Sequence, residues 1–77
     1  MSKEIEKKLE EIIKNYLGVV DVNQNHSIVD DLGADSLDVL GLILDIETGF
    51  NVIITDEQIE GVKTVSDITK IVLEQKK

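Results

Sequence analysis

The sequence predicts an all-α fold, a small four-helix bundle with three longer helices, one short helix and a long first loop. Apolar residues recur at spacings of three and four in three segments, which is the helical period. Capping residues and glycines mark the ends of these segments. Because no proline, repeat or low-complexity linker interrupts the 77 residues, we expect a single domain over residues 1–77.

The first helix is predicted from Lys3 to Leu17, with Ser2 as its N-cap and Gly18 as its stop. Its apolar residues share one face: Ile5, Leu9, Ile12, Ile13 and Tyr16. Residues 18–35 then form a loop that is unusually long for a small domain. The apolar residues of this loop indicate that it packs over the core: Val19, Val20, Val22, Ile28, Val29 and Leu32.

The second helix is predicted from Ser36 to Thr48, with Gly49 in the left-handed position past its end. Residues 49–54 resemble a strand, but a strand here would have no partner, so we expect a buried connection.

The third helix is predicted to be short, from Asp56 to Gly61, because Thr55 and Gln58 have the spacing of a capping box. The last helix should begin after Thr64 and place these apolar residues on one face: Val65, Ile68, Ile71 and Val72.

The second helix is apolar on two opposed faces when successive side chains turn by about 100°. One face is a sufficient core stripe, made of Val39, Leu42, Ile43, Ile46 and Phe50. The other carries Leu37, Leu40 and Leu44, with Asp38 and Asp45 along one edge and Glu47 along the other. Such a second stripe either packs under the long loop or docks a partner. The flanking acids favour docking.

The negative charge lies in the middle of the chain. Residues 21–60 contain ten acidic residues and no lysine or arginine, whereas the two ends together are close to neutral. A field of this sign repels nucleic acid and anionic membranes and attracts basic protein partners. The sequence therefore predicts a protein-binding surface, and acidity that serves only solubility is the alternative.

Catalytic and metal-binding interpretations are weak. A nucleophilic serine needs a base within reach, yet the only histidine, His26, lies ten residues before Ser36 and belongs to the loop. The stretch from Asp21 begins like a calcium loop, but His26 replaces the turn glycine and Leu32 the bidentate glutamate. We expect no metal site.

Ser36 stands between Asp35 and Leu37 at the entrance of the second helix. Either it only caps the helix together with Asp35, or a group is attached to it. A phosphodiester at this position would meet free backbone N–H groups and the positive end of the helix dipole.

The stretch DDLGADSLDVL, residues 30–40, resembles the modification motif of acyl carrier proteins, in which the serine of Asp-Ser-Leu bears a 4′-phosphopantetheine arm. The similarity continues through the acidic second helix, Phe50, ITDEQIE and KTVSDI, and covers nearly the whole chain. It implies that Ser36 is the attachment site and that a phosphopantetheinyl transferase moves the arm there from coenzyme A.

By this resemblance the protein is a non-enzyme, a free-standing cytoplasmic monomer that carries acyl groups as thioesters among the enzymes of fatty acid synthesis. Basic docking patches on those enzymes and on the transferase would contact Asp35, Leu37, Asp38, Leu40, Leu44, Asp45, Glu47, Asp56, Glu57 and Glu60. Nucleic acid and stable membrane insertion are not expected.

The sequence departs from the family at four positions. Gly41 stands where a glutamate is usual, Thr48 and Gly49 where acids are common, and Thr55 where proline is frequent. These departures favour, as an alternative, a specialised carrier for polyketide or other lipid cargo. An alternative from a different functional class is an unmodified acidic helical adaptor that only binds proteins.

Overall fold

The structure is a computed structural model that describes residues 2–76, without the side chain of Ser2, so the predicted capping of the first helix by that side chain lies outside what the structure describes. The four helices are α1 (Ser2–Leu17), α2 (Ser36–Phe50), α3 (Asp56–Glu60) and α4 (Val65–Gln75). This order confirms the predicted all-α bundle. Over residues 2–76, β pairing is confined to one isolated bridge between Ser27 and Thr64.

The hydrophobic core lies among the three longer helices, and α1 packs against both α2 and α4. The side chains that are completely shielded from solvent come from all three: Leu9, Ile13, Leu42, Ile46, Val65, Ile68 and Val72. In the described part of the chain, none of the helices is long and apolar enough to cross a membrane.

The long first loop is fixed to α4 by backbone hydrogen bonds. The N–H of Ile28 donates to the carbonyl of Lys63 at 3.0 Å, and the N–H of Val65 donates to the carbonyl of His26 at 3.1 Å. These contacts bury Val22 and Ile28, as predicted. The prediction was wrong for Val20 and Val29, which are 93% and 57% exposed, because these contacts rather than any periodicity decide which loop side chains face the core.

The Gln24 side chain connects the loop to two helices. Its Nε2 donates to Oε2 of Glu10 on α1 at 2.8 Å. Its Oε1 accepts from the Oγ1 of Thr69 on α4 at 2.7 Å, and Thr69 is buried. The same hydroxyl can also donate to the carbonyl of Val65 at 3.3 Å, so this buried group, which would be costly without a partner, has two acceptors within reach.

The end of α2 differs from the prediction. The helix continues through Gly49 to Phe50, and Asn51 takes the left-handed conformation with φ 57°. Asparagine tolerates this conformation better than most residues. Gly49 serves packing instead, because a Cβ there would lie 2.8 Å from Cδ1 of Ile12 on α1. The following residues confirm the buried connection, with Val52 and Ile54 in the core and Ile53 exposed.

Capping boxes begin the two C-terminal helices at the predicted residues. Thr55 and Gln58 form one at α3, which ends at Glu60, one residue before the predicted end. Thr64 and Asp67 form the other at α4. The backbone N–H groups of Thr64 and Lys63 donate to Oδ2 of Asp67 at 3.0 and 2.9 Å, and these bonds hold the pKa of the carboxyl below its usual value.

We predict that Asp67 stabilises the fold in a pH-dependent way. A carboxyl whose pKa is lowered by folding contributes stability above its unfolded pKa of about 3.9, and that contribution is lost as the pH falls through the folded value. Replacing Asp67 by asparagine should therefore lower the melting temperature clearly at neutral pH and much less near pH 3. Asp45→Asn, which removes an exposed charge, is the control. An equal effect of Asp67→Asn at both pH values would contradict this role.

Candidate functional site

Ser36 is the first residue of α2 and is exposed to solvent. Within residues 2–76 its hydroxyl has no hydrogen-bond partner, since the cap of the helix is made by other groups. A reactive partner can therefore approach the Oγ of Ser36 from outside the bundle without breaking an existing contact.

Asp35 and Asp38 form the capping box of α2. The N–H of Asp38 donates to Oδ1 of Asp35 at 2.9 Å, and the N–H of Asp35 donates to Oδ2 of Asp38 at 3.2 Å. Of the two capping candidates at this helix, only Asp35 caps it. Both acids were predicted to face a partner, and the structure gives each of them a local structural role as well.

The segment before Ser36 is held in place by backbone hydrogen bonds and by burial of Ala34. Gly33 takes a left-handed conformation with φ 74°, which glycine adopts without steric cost, and its N–H donates to the carbonyl of Val29. Ala34 is buried, and its N–H donates to the carbonyl of Ile28 at 3.1 Å. The tight turn and the buried alanine fix the direction in which the chain enters α2, and with it the position of Ser36.

His26 makes local contacts in the loop. Its Nδ1 accepts from the N–H of Asn23 at 3.2 Å, and its carbonyl accepts from Val65. This is the ordinary loop histidine that the sequence indicates. Among the described residues, no group of histidines and acids is arranged to hold a metal ion.

The second apolar face of α2 lies on the surface. Leu37 is 77% exposed, Leu40 51% and Leu44 63%, whereas Leu42, Ile43, Ile46 and Phe50 on the opposite face are buried. The alternative that this face packs under the loop is therefore excluded. We call Leu37, Leu40 and Leu44 the leucine strip.

The acids that were predicted to face a partner are not equivalent. Asp45 is exposed, as are Asp56, Glu57 and Glu60 on α3. Glu47 is half-buried, and its Oε2 accepts from the N–H of Ile54 at 2.7 Å. The sequence placed Glu47 on the docking edge, but this contact shows that it also ties α2 to the connection before α3.

The acids of residues 21–60 form no ion pair with a lysine anywhere in residues 2–76, whereas Lys14 pairs with Glu11 inside α1 at 3.3 Å. We predict that their mutual repulsion destabilises the fold at low ionic strength. Moderate salt or millimolar divalent cations should raise the melting temperature by screening or bridging these charges. A melting temperature that does not change with salt would show that the terminal lysines already neutralise them at longer range.

The side chain of Tyr16 on α1 packs against Gly41 of α2, and the sequence did not predict this contact. A Cβ at position 41 of α2 would lie 1.7 Å from its hydroxyl oxygen and 2.6 Å from Cζ. Gly41 therefore leaves room for the phenol, which accounts for a glycine inside a helix where it costs about 1 kcal/mol relative to alanine. The signal in the sequence was the isolated glycine, which often marks close packing.

Comparison with known proteins identifies the family of this chain. Residues 7–72 match the family described as "Phosphopantetheine attachment site", a match that includes Ser36 and all four helices in large part. A curated acyl carrier protein of Syntrophobacter fumaroxidans is 48% identical over 63 residues, which cover 79% of this chain and 78% of that protein. The chain belongs to the acyl carrier protein family.

Other relatives of this carrier give the same result. Acyl carrier proteins of Buchnera aphidicola and Thermotoga maritima are each 41% identical, over 88% and 90% of the chain and 90% and 88% of their own lengths. A solved Mycobacterium tuberculosis structure described as an acyl carrier protein superposes with a TM-score of 0.88 at 30% identity, covering 92% of this chain and 97% of that one. Members of the family are carriers rather than enzymes and bear a covalently attached 4′-phosphopantetheine.

The residues around Ser36 fit this group. The N–H of Asp38 is capped by Asp35 and that of Val39 donates to the Asp35 carbonyl, which leaves the N–H groups of Ser36 and Leu37 for an anion. Backbone N–H groups at the start of a helix favour a phosphate both by hydrogen bonding and through the helix dipole. The exposed hydroxyl and this local field suit a phosphodiester.

Proposed function

We propose that Ser36 bears the 4′-phosphopantetheine arm and that the chain presents acyl groups to the separate enzymes of fatty acid synthesis. The observation that supports this most strongly is the exposed Ser36 hydroxyl at the start of α2, which Asp35 relieves of any capping role. The family match supplies the chemistry of the modification.

In the loading reaction the chain is the substrate. The Oγ of Ser36 forms a bond to phosphorus, its proton passes to the transferase, and the nucleotide part of coenzyme A leaves. Once attached, the arm supplies a terminal thiol that holds acyl groups as thioesters. Because the sequence contains no cysteine, this thiol is the only one that the loaded carrier has.

We propose that the leucine strip and the acids beside it dock these partners. Apolar contacts at the centre of an interface carry most of its energy, while charges at its rim speed up association. The strip supplies the centre, and these exposed acids supply the rim: Asp45, Asp56, Glu57 and Glu60. The complementary partner surface is an apolar groove with lysines and arginines around it.

We also propose that residues 1–77 act as one domain, as a free-standing monomer in the cytoplasm. The single core that α1, α2 and α4 share supports the one-domain proposal. Sedimentation analysis of the purified chain tests the monomer, and a stable dimer would contradict it.

The proposed function can be tested by counting the thiols per chain before and after loading. Incubation with coenzyme A and a phosphopantetheinyl transferase, followed by removal of free coenzyme A, should give one titratable thiol per chain from a starting value of zero. An unmodified adaptor would gain none, and that result would contradict the proposed function. The chain incubated without transferase is the control.

A specialised carrier is a second candidate, favoured by Gly41, where a tyrosine from α1 occupies the place of the family's usual acid. The acyl group that the protein carries distinguishes a carrier of fatty acid synthesis from a specialised carrier. Mass spectrometry of the acyl species on protein purified from its native host should show saturated and 3-hydroxyacyl intermediates of fatty acid synthesis. A single unrelated acyl group would favour the specialised carrier.

A further inference from the structure

The phenol of Tyr16 lies on the backbone of α2 at the border of the leucine strip. Its hydroxyl occupies the space that a Cβ of residue 41 would need, and the residue is 39% exposed. Tyr16 thus fills the gap that Gly41 leaves, and the residue is still partly exposed to solvent.

Gly41 is placed centrally on the docking side of α2. It lies four residues after Leu37 and three before Leu44, and residues at these spacings are neighbours on a helix. It also lies three residues after Asp38 and four before Asp45, which puts it between the two acids on one edge of the strip. Asp38 and Asp45 are about 10 Å apart along the helix axis at 1.5 Å per residue. The phenol therefore lies against the part of α2 that separates these two acids along the helix.

We infer that Tyr16 is a specificity-determining contact for docked partners, an inference that rests on the proposed function. In the middle of this edge the group next to α2 is the hydroxyl of Tyr16, which can donate or accept a hydrogen bond, instead of a charged side chain. The partner that fits has an apolar centre, basic groups opposite Asp38 and Asp45, and between them a polar uncharged group that hydrogen-bonds the phenol. Because residues 21–60 carry ten acids and no base, we commit to a basic-surfaced enzyme, the phosphopantetheinyl transferase, as the occupant tested.

The first test is the loading rate of Tyr16→Phe. This variant keeps the ring over Gly41 and removes only the hydroxyl, so the packing should survive. With one hydrogen bond lost at the interface, kcat/KM for transfer from coenzyme A should fall about threefold to tenfold. Asn15→Ala, which truncates the exposed neighbour on α1, should load at the wild-type rate. Rates are measured well below the melting temperature of each variant. A fall no larger than the loss of folded protein would assign the hydroxyl a structural role only and overturn the inference.

The second test uses the fact that the chain has one tyrosine and one phenylalanine. With 3-fluorotyrosine incorporated, a single fluorine resonance reports Tyr16, and it should shift when the transferase is added. Fluorophenylalanine at the buried Phe50 is the matched control and should not shift.

The inference requires both results, so a Tyr16 resonance that does not change at saturating transferase overturns it even if Tyr16→Phe loads slowly. A wild-type chain that is not loaded at all contradicts the proposed function as well. Normal loading of both wild type and Tyr16→Phe contradicts only the role of Tyr16.

Discussion

Replacing Ser36 by alanine should abolish loading completely and leave the bundle folded. The hydroxyl is the proposed nucleophile for phosphorus, and no neighbouring side chain can take its place, because Asp35, Leu37 and Asp38 have no hydroxyl group. Stability should change by less than about 0.5 kcal/mol, as for most exposed substitutions, since the cap of α2 comes from Asp35. Intact mass after incubation with transferase measures loading, and circular dichroism measures folding.

Two variants complete this experiment. Ser66→Ala changes a serine in the first turn of α4 and should load normally. Asp35→Ala should destabilise the protein by about 0.5–2 kcal/mol because it removes the cap of α2, and it should slow loading because the start of the helix frays. Phosphopantetheine on the Ser36→Ala protein would show that another residue is the attachment site.

Truncating the buried face of α2 should destabilise the protein far more than truncating the leucine strip. Ile43 and Ile46 are at most 2% exposed, and a buried large-to-small change of this kind costs about 2–5 kcal/mol. Leu40 and Leu44 already contact water over half or more of their surface, so Leu→Ala there should cost less than about 1 kcal/mol. Urea denaturation measures the four free energies of unfolding.

The same leucine variants should load slowly, because the strip provides the apolar centre of the proposed interface. Asp45→Lys should mainly slow association, in a way that higher salt obscures. Glu47→Lys is unsuitable for this test, since it also breaks the bond to Ile54. If Leu40→Ala unfolds the protein as readily as Ile43→Ala, both faces are core and the binding surface lies elsewhere.

Helix starts were predictable from the sequence because their signals are local. The capping box of Thr55 and Gln58 forms as predicted, and α4 begins after Thr64 as predicted, where Thr64 and Asp67 form a second box. The end of α2 was not predictable in this way. Gly49 has the usual chemistry of a helix stop, but the helix continues to Phe50, and the missing side chain of Gly49 instead leaves room for Ile12 of α1.

The candidate site likewise has features that local sequence predicts and features that depend on contacts between distant parts of the chain. The exposure of Ser36 follows from its position at the start of α2, and the exposure of the leucine strip follows from the helical period of α2. The structure confirms that Ser36 and the leucine strip are exposed. The second roles of Glu47 and Gly41 depend on Ile54 and Tyr16, which other parts of the chain bring into contact. The exposure of Val20 and Val29 likewise depends on how the loop hydrogen-bonds to α4.

The most direct test of the carrier role is to locate the modification on the loaded wild-type chain. After incubation with coenzyme A and transferase, fragmentation in the mass spectrometer should place one phosphopantetheine group on Ser36, with the other serines, Ser2, Ser27 and Ser66, unmodified. The group on any of those three, or no gain in mass under conditions that load a known acyl carrier protein, would contradict the account.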